Sequence, residues 1–189
     1  YAAVENLWSA KPNRFLVAEV AELEPGRALD VACGEGQNAI WLAERGWRVR
    51  GVDYSPVAIA KARARAERDG VDVDFVEDDI LRFEPATGSY DLVLLLYLHL
   101  PAEELRSVLR RAASALAPGG TLLLVGHDLL NMTEGVGGPS DPALHYTPDD
   151  IVAELDGLAV EKAQRVYRDV AGTDRPAIDA LVRAHRPRS

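Results

Sequence analysis

The sequence predicts an α/β fold, a doubly wound and mostly parallel sheet of seven strands with an antiparallel last strand and helices on both faces. Short β-rich apolar runs alternate with longer helical patterns, with Gly, Pro and Asp at the joins. The run from Tyr90 to Leu96 is almost entirely apolar, which is typical of a central parallel strand buried on both faces. The last two predicted strands have no helix between them and should therefore be antiparallel to each other.

The first five predicted strands belong to the βα alternation. They are Ala28 to Ala32, Arg48 to Val52, Val71 to Val76, Tyr90 to Leu96 and Thr121 to Val125. The predicted helices are Gln37 to Arg45, Pro56 to Asp69, Pro101 to Ala117 and Thr147 to Leu155. Ser55 before Pro56 follows the pattern of an N-cap and a first helical residue, and Thr147 forms a capping box with Asp150. Two strands near Leu158 to Arg168 and Pro176 to His185 close the chain.

The composition predicts one globular domain over residues 1–189. Of its 189 residues, 48% are hydrophobic and 27% charged, and a chain of this size can form a core without disulfides or a structural metal. One long connection, residues 126–147, contains five Gly or Pro between Gly135 and Pro142. Since connections of this length are uncommon unless they bind or cover a ligand, we predict an unstructured substrate lid there.

Charge and cysteine content exclude several function classes. The net charge of −9 argues against nucleic acid as a partner. Cys33 is the only cysteine, so no internal disulfide can form, and the four histidines do not have zinc spacing. No secretory signal is visible and no apolar run is long enough to cross a membrane. We therefore expect a cytoplasmic protein with no membrane partner and no metal.

A glycine turn follows the first predicted strand. Gly34 and Gly36, with Ala39 third, match a nucleotide-binding fingerprint, and Asp53 has the spacing of the carboxylate that holds a ribose. Glu35 inside this turn is unfavourable for a pyrophosphate, which disfavours NAD. In a parallel sheet, ligands bind beyond the carboxyl ends of the strands, so we expect an adenosine-containing ligand at this edge.

The chain resembles a known family in five segments. The string ALDVACGEGQNAIWLAERG, then VDYS, EDDI, YDLVLLLYLHL and LAPGGTLLLV, resembles the class I S-adenosylmethionine-dependent methyltransferases over Trp8 to Val125. Within that class, the small size and the opening segment look most like the small-molecule enzymes of the tellurite-resistance and thiopurine type. The resemblance implies S-adenosylmethionine as cofactor and S-adenosylhomocysteine as product.

The resemblance also implies which residues hold the cofactor. Asp30 and the glycine turn match the motif around the methionine portion and the ribose, while Asp53 matches the ribose carboxylate. The implied set is Asp30, Ala32, Gly34, Gly36, Asp53, Tyr54, Asp78, Asp79, Ile80, Leu95 and Leu96. Trp8 and Arg14 lie in an N-terminal segment, residues 1–25, which is expected to cap the cofactor.

The acceptor side is less defined by sequence. A base is needed only for a protonated acceptor, and His99 and His127 are the candidates, with His99 placed best directly after the fourth strand. Tyr97, His145 and Tyr146 are candidate acceptor contacts. No Asn-Pro-Pro-Tyr element follows the fourth strand, which favours O-, S-, C- or amine-directed methylation of a small molecule.

Two other interpretations stay open at this point. A nicotinamide-dependent oxidoreductase would share the glycines and Asp53, although no tyrosine has a lysine four positions later as the short-chain type requires. A non-catalytic S-adenosylmethionine-binding module would need no base. The acceptor, the methylated atom and the oligomeric state are left open.

Overall fold

The computed structural model describes residues 11–188, whose strands form one seven-stranded sheet in the order β3-β2-β1-β4-β5-β7-β6. The strands are β1 Arg27–Val31, β2 Arg48–Asp53, β3 Asp74–Glu77, β4 Tyr90–Leu96, β5 Leu116–His127, β6 Ala159–Arg168 and β7 Ala177–His185. The helices are α1 Arg14–Glu19, α2 Gln37–Ala43, α3 Pro56–Asp69, α4 Ala102–Ala115, α5 Asn131–Glu134 and α6 Pro148–Val152.

The strand directions confirm the predicted fold class. β1 to β5 pair in parallel, whereas β7 pairs antiparallel with both β5 and β6. The strand order reverses between β1 and β4, which is where ligands bind in open sheets of this kind. Because β7 runs opposite to β5, its first residues lie at the same edge as the carboxyl ends of the parallel strands.

Both faces of the sheet are covered by helices, as predicted. Alternate residues of β4 face opposite sides: Val93 packs in a cluster with α4 and α6, whereas Leu94 packs with α1, α2 and α3. Leu92 to Leu95 are fully buried, which accounts for the nearly continuous apolar run. This double burial holds the carboxyl ends of β1 and β4 in fixed positions.

Two strand boundaries differ from the predicted ones by three residues or more. β3 begins at Asp74 instead of Val71 because the Val71 N–H donates to the Ala66 carbonyl and closes the end of α3. β5 begins before its Pro-Gly-Gly sequence, since Leu116 pairs with Tyr90 across a bulge. The capping box of Thr147 and Asp150 at α6 is present as predicted.

The prediction that residues 126–147 are unstructured is wrong. Residues 126 and 127 complete β5, α5 and a 3-10 turn at Pro142–Leu144 follow, and Asp128 bridges to Tyr146. Asp128 accepts from the Leu130 N–H at 2.8 Å and Asn131 accepts from the Ile178 N–H at 2.8 Å. These side-chain hydrogen bonds order the segment without long helices. Its role as a substrate lid stays a prediction.

The N-terminal helix α1 was not predicted. Its N-cap, Asn13, accepts from the Phe15 N–H at 2.8 Å, and the Asn13 N–H donates to the Asn38 side chain at 2.9 Å. The second bond places the start of α1 beside the first turn of α2. Within residues 11–188, no helix is long and apolar enough to cross a membrane.

Candidate active site

Two residues other than glycine have a left-handed backbone conformation at the ends of adjacent strands. Ala32 has φ 59 directly after β1, and Tyr97 has φ 56 directly after β4. These strands flank the point at which strand order reverses. Such a conformation is unfavourable for L residues, and it is often retained at ligand sites. The two strained residues therefore mark the crevice between β1 and β4.

The glycine turn after β1 is tied to the end of β2. Asp53, which is 7% exposed, accepts from the Gly34 N–H and from the Ser55 N–H, both at 2.9 Å. Gly34 has φ +55, and a side chain there would meet no protein atom within 4 Å. Gly36 has φ +78 and is packed tightly, since a Cβ would come within 2.6 Å of Phe75. Gly34 thus faces open space, while Gly36 permits the close packing of α2.

Asp30 is a buried carboxyl group on β1, only 1% exposed. Burial, and next the charge of Asp53, raises its pKa to about 7, although the Ala39 N–H partly offsets this. Within residues 11–188, its Oδ2 atom has no hydrogen-bond partner. The same burial, together with Asp30, raises the pKa of the Cys33 thiol far above its usual range. Cys33 is therefore not an activated nucleophile.

The predicted adenine-side residues follow β2 and β3. The Asp78 N–H donates to the Asp53 carbonyl at 3.1 Å, so the two strand ends are joined. Asp78 and Asp79 are exposed, and Ile80 is 7% exposed. Tyr54 is 65% exposed, which leaves its ring face free for stacking. The structure thus brings all four to the edge that also carries Asp53.

The remaining predicted cofactor contacts lie on the same side or beyond the described residues. Leu95 is fully buried and Leu96 nearly so, at the end of β4. Arg14 is exposed at the start of α1, with its guanidinium over the Phe15 ring at 5.6 Å. Trp8 lies outside the described residues. Ala32 after β1 and Leu95 and Leu96 on β4 thus lie on the two sides of the crevice. We call this side of the site, with the glycine turn and Asp53, the cofactor half of the crevice, because the predicted cofactor residues lie there.

Sequence reasoning missed the partner of Glu35. The side chain of Lys61 on α3 contacts the Glu35 carboxylate at 2.8 Å. Glu35 is 7% exposed, and the cation compensates for its burial. The glycine turn therefore carries no uncompensated negative charge from this residue.

The acceptor candidates form a continuous group of rings, which we call the ring cluster: Tyr97, His99, His127 and His145. His99 and His127 are stacked with centroids 5.2 Å apart, Tyr97 lies 5.2 Å from His127, and His145 lies 6.1 Å from it. Burial, then the neighbouring His127 and His145, lowers the pKa of His99 to about 4. His127 is thus at the centre of the cluster, next to the cofactor half of the crevice.

Asp179 on β7 completes this cluster, and sequence reasoning missed it. It is fully buried and lies opposite His127 in the β5–β7 register. Its Oδ1 is 3.1 Å from His127 Nδ1, and its Oδ2 accepts from the Tyr97 hydroxyl at 2.8 Å and from Arg168 Nε at 3.3 Å. One sequence signal existed, because a carboxylate inside the apolar run of β7 must be paired when buried.

Several buried polar atoms near the ring cluster lack partners within residues 11–188. They are His99 Nε2, His145 Nε2 and the Tyr146 hydroxyl. Buried polar groups are normally hydrogen-bonded, so these atoms are available to a bound molecule or to water. No group of His, Cys, Asp and Glu in the described part of the chain has the geometry to hold a metal ion.

Comparison with known proteins identifies the family. The family described as "Methyltransferase domain" matches residues 28–120, the segment that contains the glycine turn, Asp53 and β4. The chain is 36% identical over 115 residues to a demethylmenaquinone methyltransferase of Thermus thermophilus, covering 60% of this chain and 52% of that protein. The family match favours methyl transfer over the nicotinamide oxidoreductase alternative.

A second relative is covered over most of its length. The chain is 31% identical over 180 residues to a 2-heptyl-1-hydroxyquinolin-4(1H)-one methyltransferase of Mycobacteroides abscessus, covering 85% of this chain and 79% of that protein. A third relative is covered less. The chain is 34% identical to a ribosomal RNA small subunit methyltransferase C of Alcanivorax borkumensis, and the match covers 54% of this chain and 32% of that protein. The chain thus spans between a third and four fifths of these relatives.

The fold has solved counterparts. The structure of TehB from Haemophilus influenzae superposes with a TM-score of 0.78 at 19% identity, covering 92% of this chain and 62% of that one. At this identity the likeness shows the fold, and placement with the tellurite-resistance and thiopurine type stays a prediction. The sequence relatives carry the assignment further: the chain belongs to the class I S-adenosylmethionine-dependent methyltransferases, and S-adenosylmethionine is its cofactor.

Proposed function

We propose that this protein transfers a methyl group from S-adenosylmethionine to a hydroxyl oxygen on a small aromatic acceptor. The observation that carries the proposal is the 3.1 Å contact between the His127 imidazole and the buried Asp179 carboxylate beside the cofactor half of the crevice. A base is useful only when the methylated atom carries a proton, and an aromatic hydroxyl is such a group.

The cofactor half has the chemistry that S-adenosylmethionine requires. The cofactor has two positive groups, a carboxylate and a ribose, and no pyrophosphate. Asp53 can accept from the ribose hydroxyls, the exposed Tyr54 ring can stack on adenine, and the unpartnered Oδ2 of Asp30 can accept a hydrogen bond. Open space over Gly34 leaves room for the ligand. When bound, S-adenosylmethionine supplies an electrophilic methyl group.

His127 is the base that we favour. It takes the hydroxyl proton while the acceptor oxygen forms its bond to the methyl carbon and the carbon–sulfur bond breaks, with the electron pair remaining on sulfur. His99 is less suited, because burial lowers its pKa to about 4 and makes it a weak proton acceptor. Its stacking on His127 at 5.2 Å gives it a positioning role for the base or the acceptor ring.

Alignment and exclusion of water are the protein's other contributions. Holding two reactants in line can offset roughly 7–11 kcal/mol of barrier. His127, His145 and Tyr146 are all less than 10% exposed. All three belong to the lid segment, residues 126–147, and the N-terminal segment, residues 1–25, caps the cofactor. Both segments therefore belong to the proposed enclosure.

An aromatic acceptor is supported by the lining and by the relatives. Rings surround His127 on three sides, and planar rings pack well against one another. Two relatives are named for a hydroxyquinolinone and a demethylmenaquinone, both ring compounds. The net charge of −9 opposes binding of a polyanion such as the RNA of the third relative.

Calorimetry and turnover together test this function. S-adenosylhomocysteine should bind and NAD should not. A panel of hydroxylated quinolones, quinols and phenols should give methyl ethers with release of S-adenosylhomocysteine. Binding of NAD alone would contradict the cofactor assignment, and cofactor binding without turnover on any acceptor would support the non-catalytic binding module instead.

Two histidine variants make the test specific. His127→Gln should lower kcat by about 100-fold or more, the usual contribution of a general base, with unchanged cofactor affinity. His185→Gln is the matched control, because His185 also contacts a carboxylate, Glu161 at 3.0 Å, but at the other end of β7. Its turnover should equal that of the unmodified protein.

A further inference from the structure

Asp179 contacts both a ring nitrogen and a phenol, one with each carboxylate oxygen. Oδ1 faces His127 Nδ1 at 3.1 Å, and Oδ2 accepts from the Tyr97 hydroxyl at 2.8 Å. Arg168 on β6 also donates to Oδ2 at 3.3 Å and supplies the positive charge that a fully buried carboxylate needs. A single carboxylate thus determines the relative positions of side chains from β4, β5 and β6.

His127 Nδ1 and Asp179 Oδ1 have no alternative partner. Both atoms are buried, and neither makes an aligned hydrogen bond with any other atom of residues 11–188. Their 3.1 Å separation is within hydrogen-bond range, although the ring N–H does not point straight at the oxygen. Contacts at catalytic sites are often poorly aligned before ligands bind and tighten afterwards. Each atom is therefore the other's available partner.

We propose that Asp179 is a positioning residue that fixes the tautomer of His127, holding the proton on Nδ1 and leaving Nε2 free to accept the acceptor's proton. The role of Nε2 as proton acceptor rests on the proposed function. The tautomer of His127 does not depend on that function. A neutral imidazole carries one proton, so a carboxylate at Nδ1 leaves the lone pair on Nε2.

The opposite edge of the His127 ring faces Gly138, further along the lid segment. A Cβ at Gly138 would be 2.8 Å from His127 Cδ2 and 3.2 Å from Nε2. The free nitrogen is therefore directed toward the segment that we propose covers the acceptor, and away from Asp179.

Titratable groups from four elements surround His127. They are Tyr97 and His99 after β4, Asp179 on β7, Arg168 on β6 by way of Asp179, and His145 and Tyr146 in the lid segment. Burial and the nearby Asp179 charge raise the pKa values of both tyrosines, so their phenols stay protonated at neutral pH. Among these groups, Asp179 alone contacts an imidazole nitrogen of His127.

The test is nitrogen NMR of the full chain labelled with ¹⁵N-histidine and saturated with S-adenosylhomocysteine. In the unmodified protein, His127, assigned by its loss in His127→Gln, should show a protonated Nδ1 and an unprotonated Nε2 when the ring is neutral. In Asp179→Asn, the two signals should move toward a mixture of tautomers. A protonated Nε2 in the unmodified protein would overturn the proposal, and so would signals that do not change in Asp179→Asn.

Glu161→Gln is the matched control for this measurement. Glu161 also contacts a histidine Nδ1, that of His185 at 3.0 Å, and an arginine, Arg183 at 2.8 Å, but at the other end of β7. Its variant should leave the His127 nitrogen signals unchanged. If Asp179→Asn does not fold, the spectrum of the unmodified protein still decides the tautomer.

Kinetics separate this inference from the proposed function. Asp179→Asn should lower kcat at least about tenfold, with the acceptor KM and the S-adenosylhomocysteine affinity within about twofold of the original. Unchanged kcat in Asp179→Asn would overturn the inference, whereas full turnover in His127→Gln would overturn the base assignment and leave the tautomer result standing.

Discussion

The Gly34 N–H donates to the Asp53 carboxylate at 2.9 Å, so the glycine turn after β1 is joined to the end of β2 by a side chain. The second oxygen of the same carboxylate accepts from the Ser55 N–H at 2.9 Å, at the N-cap of α3. Asp53 therefore joins the glycine turn to the start of α3. Its remaining lone pairs are the ones that we propose accept from the ribose hydroxyls.

Asp53→Ala should weaken both cofactor binding and the fold. Two hydrogen bonds to a charged group are lost, and each contributes on the order of 1.5–3 kcal/mol. We expect S-adenosylhomocysteine affinity to fall at least about tenfold, which is about 1.4 kcal/mol, with a lower Tm. Isothermal calorimetry and thermal unfolding measure the two effects.

Asp74→Ala is the control for this substitution. Asp74 lies on the neighbouring strand β3 and pairs with Arg50 at 2.7 Å, with both side chains about half exposed. Exposed pairs contribute at most about 1 kcal/mol. Equal losses of cofactor affinity in the two variants would count against the role of Asp53.

Gly34→Ala should reduce cofactor affinity more than stability. The position has φ +55, so alanine costs about 1–2 kcal/mol of backbone strain, and no protein atom lies within 4 Å of the added methyl group. Gly70→Ala has the same kind of strain, with φ +70 and open space, but at the end of α3. We expect the two variants to lose similar amounts of Tm, and only Gly34→Ala to lose S-adenosylhomocysteine affinity, by tenfold or more. That result would support cofactor binding at the glycine turn. Unchanged affinity in Gly34→Ala would place the cofactor elsewhere.

The cofactor half could be predicted from sequence because its residues are local. Gly34 and Asp53 belong to consecutive βα units, and parallel pairing of neighbouring strands brings their ends together. Asp179 could not be placed in the same way. Its position opposite His127 depends on β7 entering the sheet between β5 and β6, and local periodicity does not determine that long-range register.

The lid segment and α1 also depend on contacts that local sequence patterns do not reveal. Asn13 is a local N-cap signal for α1. A helix of six residues is too short to show an apolar periodicity, so the cap alone does not predict it. The lid segment is ordered by single side chains, such as Asn131, which reaches the backbone of Ile178 in β7. A Gly- and Pro-rich composition does not reveal such contacts, so from sequence it predicts a loop.

Asp30→Asn should make stability less dependent on pH. The pKa of Asp30 is about 7 when folded, against 3.8 when exposed. Between these values the unfolded chain releases the proton and the folded chain keeps it, so the unmodified protein loses stability as pH rises from about 4 to about 7. A tenfold change in proton affinity corresponds to about 1.4 kcal/mol.

Thermal unfolding from pH 4 to pH 8 checks this prediction. The Tm difference between Asp30→Asn and the unmodified protein should increase through that range and then become constant. Expressed as free energy of unfolding, the total change should be a few kcal/mol. Because the Asp53 charge contributes to the raised pKa, Asp53→Asn should shift the transition to lower pH. A Tm difference that is independent of pH would contradict the assignment.

Gly138→Ala should disturb the acceptor half and leave the cofactor half intact. Its φ of +87 adds backbone strain, and its Cβ would be 2.8 Å from His127 Cδ2, so the ring or the lid segment must move. Gly137→Ala is the adjacent control, with φ +73 and no atom within 4 Å. Strain alone should cost each variant about 1–2 kcal/mol, and Gly138→Ala should lose about 1–3 kcal/mol more from the steric contact. We expect a raised acceptor KM and a lower kcat only in Gly138→Ala, with S-adenosylhomocysteine affinity equal in both. Identical kinetics in the two variants would mean that the His127 ring does not depend on this close approach.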